Sequence, residues 1–570
     1  MPALEKSVLY YGDNLPILRN TEYFPSASVD LVYLDPPFNS NQDFNVLFAE
    51  RDGSQSAAQI RAFTDTWRWD LGARRQYDEV TTGPATRTAQ ALLSLHDFLG
   101  ENDMLAYLSM MAPRLVELRR VLRDTGSIYL HCDPTASHYL KVLMDSVFGP
   151  ENLLNEIVWK RASAHSGSRR YGPAHDVILF YSKGPDYAWY GAKAPQNPEY
   201  LDSYFRQTEP DTGRHFQGNV LTGAGVRHGE SGLPWKGYDP TVHGRHWALP
   251  GRFLSEIGVT SGTTQEKLDA LEKAGRVIWP EKQGGQPRLK YYADELPEMH
   301  LTDVWTDVHS LQTSTSERLG YPTQKPEELL ERIISASTQD GDTVLDPFCG
   351  CGTTISVAQR LRRRWIGIDV THLAITLIRS RLADAFPTGL DYRVIGEPAD
   401  LRGAETLAKS DRYQFQWWAL GVIGAGPVQE ERRKGADSGI DGKLFFREKE
   451  NGSVKTMVIQ VKSGGLKLGE IRDFGRVIER EKAQLGVLLT LDEPTRDMRM
   501  EAATLGFYKP EYRLDPDAKY DRYQILTINE LFDGKRPQYP PFRNVTFRAA
   551  PVAKSLPKKP KVRANRLPDS

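Results

Sequence analysis

Two rhythms of apolar and polar positions run along the chain. Val-Asp-Leu-Val-Tyr-Leu at 29–34 is rich in β-branched and aromatic residues and predicts a buried strand, as do 127–131 and 176–181. From Met104 to Leu122 apolar positions recur at helical spacing, with arginines at 114, 119 and 120; Asp124-Thr-Gly126 is expected to close that helix. Strand and helix patterns alternate over 1–194, so this region reads as α/β. Between 195 and 300 the periodicity fades into Gly, Pro, Trp, Tyr, His and Arg, as in Ser231-Gly-Leu-Pro-Trp-Lys-Gly-Tyr238 and His243-Gly-Arg-His-Trp247. That segment is expected to be a loop-bearing insertion whose basic and aromatic side chains meet phosphates and stack on bases. Regular α/β pattern returns over 301–395, and a third, smaller α/β stretch spans 405–535. The tail 549–570, with Lys554, Lys558, Lys559, Lys561, Arg563 and Arg566 among prolines, reads as disordered and suited to non-specific contact with nucleic acid.

Composition narrows the picture only slightly. At 570 residues, with 39% hydrophobic and 26% charged positions, this is ordinary globular material with room for several domains. A net charge of −1 shows no global basic field, although a large protein can confine positive charge to one cleft. Three cysteines exclude a disulfide framework and fit a reducing compartment. No run approaches the ~18 apolar residues of a membrane span, and Met-Pro-Ala-Leu-Glu-Lys-Ser has no apolar signal core, so a cytoplasmic protein is expected.

The chemistry gathers at two turns. At the end of the first strand, Asp35-Pro36-Pro37-Phe38 places an acid, carbonyls without competing N–H groups, and an aromatic ring where open α/β sheets bind ligands. An acceptor-only pocket beside a stacking ring suits the exocyclic amine of a flat base. Far downstream, Asp346-Pro-Phe348-Cys-Gly350-Cys-Gly352-Thr353 links a short strand to a helix; its glycines let backbone approach a ligand closely. Asp369 closes the next strand, near the offset at which nucleotide-binding units place an acid on ribose hydroxyls. A G-x-G-x-x-G pattern and a Walker lysine are both missing, so a dinucleotide or ATP fits less well. Cys349 and Cys351 are read as small side chains in a crowded turn rather than metal ligands.

These motifs, with Tyr11-Gly-Asp13-Asn14 and Tyr321-Pro-Thr-Gln-Lys-Pro326, resemble those of the amino-methylating DNA methyltransferases of the β arrangement, in which the catalytic motif precedes the cofactor motif. The resemblance covers residues 1 to about 385. It implies a Rossmann-like domain in two halves, 1–194 and 301–395, with target recognition in the insertion at 195–300. It further implies S-adenosylmethionine bound by Asp346, Phe348, Gly350, Gly352 and Thr353, Asp369 on its ribose and Asp13 on its adenine side. The implied reaction is methyl transfer to adenine N6 in double-stranded DNA, with cytosine N4 as the alternative. Asp35 and the Pro36 carbonyl would each accept one N–H, freeing the amine lone pair, while Pro37 and Phe38 frame and stack on a base flipped from the helix. Oligomeric state is left open, a homodimer included.

Over 405–535 an α-β-β-α-β order could bring Asp441, Gln460 and Lys462 to one sheet face. Gly435-Ala-Asp-Ser-Gly-Ile-Asp441-Gly with Gln460-Val-Lys462 resembles the catalytic domain of Mrr-like restriction endonucleases, a branch of the PD-(D/E)xK nucleases. The resemblance implies Mg²⁺ on Asp441, Lys462 acting in phosphodiester hydrolysis, and a restriction-modification setting. The chain departs from the family in its first helix, where Gln414 and Gln416 stand near the position of the usual acid. A domain that only binds DNA is the alternative.

Overall fold

The computed structural model describes residues 7–37, 68–162, 171–428 save for short gaps between 192 and 322, 439–512 save 451, and 517–547 save 541 and 542. Phe38, the start of the 435–442 segment and the tail 549–570 lie outside the described residues.

Nine strands form one sheet: β1 Ser7–Tyr11, β2 Val29–Leu34, β3 Leu122–Cys132, β4 Leu153–Lys160, β5 His175–Ser182, β6 Val304–Trp305, β7 Thr343–Asp346, β8 Arg364–Asp369 and β9 Tyr392–Ile395. Their order is β6-β4-β5-β3-β2-β7-β8-β1-β9. The run from β3 to β9 is parallel, and β5 is antiparallel to both neighbours. Strand β2 is buried throughout and feeds both faces of the sheet: Val32 and Leu34 enter one core, Leu31 and Tyr33 the other. Buried Asp30 accepts from Thr343 N at 2.8 Å and from Arg123 at 2.7 Å, fixing the start of β2 against β7.

One expectation is corrected here. The helix Asp103–Val121 is not closed by 124–126; β3 begins directly at Leu122, which pairs with Val29. Gly126 permits this, since a β-carbon there would lie 2.8 Å from Leu122 and 2.9 Å from the Asp30 carbonyl.

The C-terminal region has its own sheet, with β10 Gly426–Pro427, β11 Gly442–Arg447, β12 Lys455–Lys462, β13 Leu485–Thr490 and β14 Tyr523–Thr527 in sequential order. Strand β11 is antiparallel to β12, and β12, β13 and β14 are mutually parallel. The helix Arg412–Val422 joins this sheet to the larger one. Its Gln414 accepts from His372 N at 3.2 Å, its Trp417 packs with Tyr321, Cys351, Leu373 and Leu377, and Gly421 approaches Thr376 so closely that no β-carbon would fit. Phe415, Trp418, Ala419 and Leu420 enter the core of the smaller sheet instead.

Residues Lys193–Leu301 form a separate compact unit. The expected stacking surface is corrected in part: Trp235, Tyr238, Trp247 and Phe253 are buried together with Leu221, Leu268 and Leu271, whereas Tyr200, Tyr204 and Trp279 are exposed. A unit this small needs large side chains to build a core, and burying aromatics is an effective way to gain it. Arg245 is held by Thr222, Lys236 by Glu272, and Arg214 and Arg276 by Glu295, so these cations serve the fold. Among the described residues no helix is long and apolar enough to cross a membrane.

Candidate functional site

Four neighbouring parallel strands, β2, β7, β8 and β1, end at one edge of the large sheet and deliver Asp35, Asp346, Asp369 and Asp13 there. The register is explicit: Leu345 pairs with Val32, Asp346 with Gly367, and Tyr11 with Asp369. Two turns far apart in sequence thus become neighbours through the pairing of β2 with β7.

Asp35 follows the last residue of β2, where Pro36 and Pro37 stop the ladder. Its Oδ2 accepts from Lys325 Nζ at 2.5 Å, with both side chains largely covered. Lys325 belongs to the Tyr321–Pro326 motif, whose local pattern does not by itself point to this pairing.

The second turn is built around glycine. Gly350 and Gly352 have φ of 47° and 73°, and Gly352 caps the helix Thr353–Arg360. A β-carbon on Gly350 would sit 3.2 Å from the Tyr321 ring, and one on Gly352 2.8 Å from Ile378. Replacing Gly352 by valine is expected to cost on the order of 2–3 kcal/mol, measured by urea unfolding, because left-handed backbone and a steric clash coincide. Buried Arg381 braces the turn, donating to the Cys351 carbonyl at 3.2 Å, Thr353 Oγ1 at 3.0 Å and Glu327 at 2.8 Å. Nothing in the local sequence around 350 points to that arginine. Asn14 donates to the Pro347 carbonyl at 2.8 Å and so ties the β1 turn to this one.

The acids at this edge are electrostatically distinct. Asp369 Oδ2 accepts Gly350 N at 2.9 Å, while Oδ1 accepts the amide and hydroxyl of Thr371, each at 2.9 Å. Burial nevertheless pushes its carboxyl up to about 6. Asp346, bonded to Phe348 N at 3.0 Å, is pushed up to about 7, again mainly by burial. Asp13 caps the helix Asn14–Arg19 and pairs with Arg114 at 2.7 Å. A desolvated carboxylate beside a glycine cradle fits a nucleoside cofactor, whose hydroxyls would supply the donors that burial has removed. Cys349 and Cys351 are buried free thiols, and no group of three or more His, Cys, Asp or Glu among the described residues could hold a metal.

In the C-terminal domain Asp441 Oδ2 accepts Val461 N at 2.7 Å, and its Oδ1 accepts Gln416 Nε2 at 3.1 Å. Gln416, rather than Gln414, therefore occupies the place facing Asp441. Gln460 and Lys462 lie on β12, and Lys462 Nζ donates to Glu470 Oε1 at 2.8 Å. Burial opposes ionisation of Glu470, but Lys462 outweighs it and holds the carboxyl below its usual range. Mg²⁺ takes octahedral oxygen ligands. Among the described residues Asp441 supplies one carboxylate here, one oxygen of which accepts the Gln416 amide, so these residues by themselves make an incomplete set for the ion.

The sequence matches the family described as DNA methylase over residues 29–379, and that described as restriction endonuclease over 410–506. Type II methyltransferase M.EcaI of Enterobacter cloacae is 34% identical over 279 residues, covering 49% of this chain and 58% of that protein. The Type III restriction-modification enzyme StyLTI Mod subunit of Salmonella typhimurium is 28% identical over 411 residues, covering 70% and 56%. The chain thus spans little more than half the length of these relatives. The solved structure of TTHA0409 from Thermus thermophilus is 18% identical with a TM-score of 0.30, covering 68% of this chain and 98% of that one.

Proposed function

The chain belongs to the DNA methylase family, and from that premise we propose that it methylates adenine N6 in double-stranded DNA, with S-adenosylmethionine as donor. The observation that carries this reading is the pairing of β2 with β7, which brings Asp35 and the glycine turn to one edge of one sheet. When bound, the cofactor supplies an electrophilic methyl group; Gly350, Gly352 and Asp369 would hold it, with Asp346 and Thr353 shaping the turn.

The chain's own residues do the rest. An adenine amine is a poor nucleophile because its lone pair is delocalised into the ring. Asp35, held in place by Lys325, takes one N–H and the Pro36 carbonyl takes the other, which draws the nitrogen toward tetrahedral geometry. Methyl transfer leaves one surplus proton on nitrogen, and Asp35, which already accepts from that amine in this mechanism, receives it. The unit Lys193–Leu301 is assigned to target recognition. Nucleoside analysis of methylated plasmid tests the base: N6-methyladenine is expected, and N4-methylcytosine in its place would overturn the assignment.

The C-terminal domain extends the proposal to restriction-modification, acting on the same DNA through Asp441, Gln460 and Lys462. Lys462→Ala is expected to lower nicking of supercoiled plasmid in added Mg²⁺ by at least about tenfold while methylation persists. Equal nicking by both proteins would remove Lys462 from any such role. No nicking by the unaltered chain would leave the domain as a DNA anchor.

A further inference from the structure

The ladder between β2 and β7 ends with the pair Leu345–Val32. Asp35 lies three residues beyond that pair and Gly350 five, so strand pairing alone does not set the distance between the two turns. The reacting atoms of a displacement must meet in line at about 3–3.5 Å, and an error near 1 Å can cost about a hundredfold in rate. The separation of the turns is therefore governed by whatever bridges them.

One short segment reaches both. Lys325 donates to Asp35 Oδ2 at 2.5 Å, and two residues later Glu327 opens the helix Glu327–Ser337. Glu327 Oε1 accepts from Arg381 Nη2 at 2.8 Å. Nη1 of the same guanidinium donates to the Cys351 carbonyl at 3.2 Å and to Thr353 Oγ1 at 3.0 Å. Arg381 is 3% exposed and comes from a third element, the helix His372–Ala385. Burying a guanidinium is costly unless its donors are matched, and here the matching acceptors belong to the cofactor turn on one side and to Glu327 on the other. The segment that carries Glu327 is itself held. Glu327 N donates to Glu317 Oε1 at 2.7 Å, and Gln324 Nε2 donates to the Glu317 carbonyl at 2.8 Å. Gln324 Oε1 in turn accepts Leu319 N at 2.8 Å. Between Lys325 and Glu327 stands Pro326, whose ring fixes φ, here −66°. Lys325 and Glu327 therefore move together.

We propose that the Arg381–Glu327 ion pair is a positioning element for the methyl transfer read above: it ties the cofactor turn to the segment that holds Asp35, and so sets the distance between donor methyl and target amine. Cutting the tie at Glu327 leaves Arg381 bonded to Cys351 and Thr353, so the cofactor is still held but less well aligned. Cutting it at Arg381 loosens the turn as well. This inference rests on the methyltransferase reading and on Asp35 as the acceptor.

Single-turnover transfer of tritiated methyl to plasmid DNA by the full chain, at varied S-adenosylmethionine, gives a transfer rate and a half-saturating cofactor concentration for each variant. Glu327→Ala should slow transfer about 30-fold with half-saturation within about threefold. Glu327→Gln, which keeps an acceptor oxygen in place, should recover to within about fivefold of the parent. Arg381→Ala should slow transfer comparably and raise half-saturation at least about tenfold. Adding Glu327→Ala to it should slow transfer no more than about twofold further, since the tie is already cut. An alanine variant of Glu327 at the parent rate, a glutamine variant as slow as alanine, or a half-saturation that rises in step with the lost rate would overturn the proposal. So would losses that simply multiply in the double variant. If the alanine variants do not fold, Glu327→Asp keeps the charge on a side chain one methylene shorter; it should slow transfer about tenfold at unchanged half-saturation, and the parent rate there would refute the alignment argument. A parent chain that transfers no methyl would instead sink the reading of the site itself.

Discussion

Asp35→Ala is expected to lower methyl incorporation by about 10³ or more while leaving cofactor affinity within about twofold. In the mechanism proposed above the carboxylate is the acceptor that makes the amine nucleophilic, and its hydrogen bond comes from Lys325 rather than from the glycine turn. Tritium counting on plasmid DNA gives the first quantity and calorimetry with S-adenosylmethionine the second. Alanine also takes from the Lys325 ammonium, 12% exposed, the oxygen that lies 2.5 Å away. Removing one partner of a covered ion pair can cost several kcal/mol, so a melting curve belongs beside the rate. Asp35→Asn keeps the volume but puts an N–H beside Lys325 or toward the amine; it should be nearly as inactive and better folded. Methylation retained in both variants would remove Asp35 from the chemistry.

The second large effect concerns Asp369. Asp369→Ala is expected to weaken cofactor binding at least about 30-fold, because it removes a desolvated acceptor and loosens Gly350 and Thr371 together. Its carboxyl, pushed up to about 6, gives this prediction a pH signature. If ribose hydroxyls donate to the ionised form, affinity rises as pH climbs through about 6 and falls below it. Stability runs the other way. An acid whose folded pKa is raised holds its proton in the native state after the unfolded chain has released it. Its contribution is therefore lost as pH rises from about 4 through 6, and Asp346 behaves alike up to about 7. Calorimetry between pH 5 and 8 should show the rise in affinity, and Asp369→Asn should flatten it. An unchanged affinity in Asp369→Ala would refute the ribose role.

How much was legible in the sequence follows from what each signal encodes. The Val29–Leu34 strand and the 350–352 turn were legible because local rules suffice: a β-branched run stopped by two prolines, and glycines where left-handed backbone is required. Gln416 opposite Asp441 was foreshadowed by a missing acid in the right helix. Lys325, Arg381 and Glu470 escaped as partners because a salt bridge made by tertiary adjacency leaves no periodicity behind. Trp235 and Trp247 were misread for a related reason. Composition cannot distinguish an aromatic that faces a base from one that fills a core, and in a unit of this size the core takes precedence. The start of β3 at Leu122 was missed because Asp124-Thr-Gly126 is turn-like in isolation; only its pairing beside Val29 makes it extended.

The helix Arg412–Val422 carries a practical corollary. A shortened gene product stopping near residue 400 would still contain every residue proposed for methyl transfer. It would also bare Leu373, Leu377 and the flank of Cys351, which Trp417 otherwise covers, directly against the strut beneath the glycine cradle. Trimming at an apparent domain border would thus uncover a greasy seam, and the shortest version that keeps it covered extends at least through that helix.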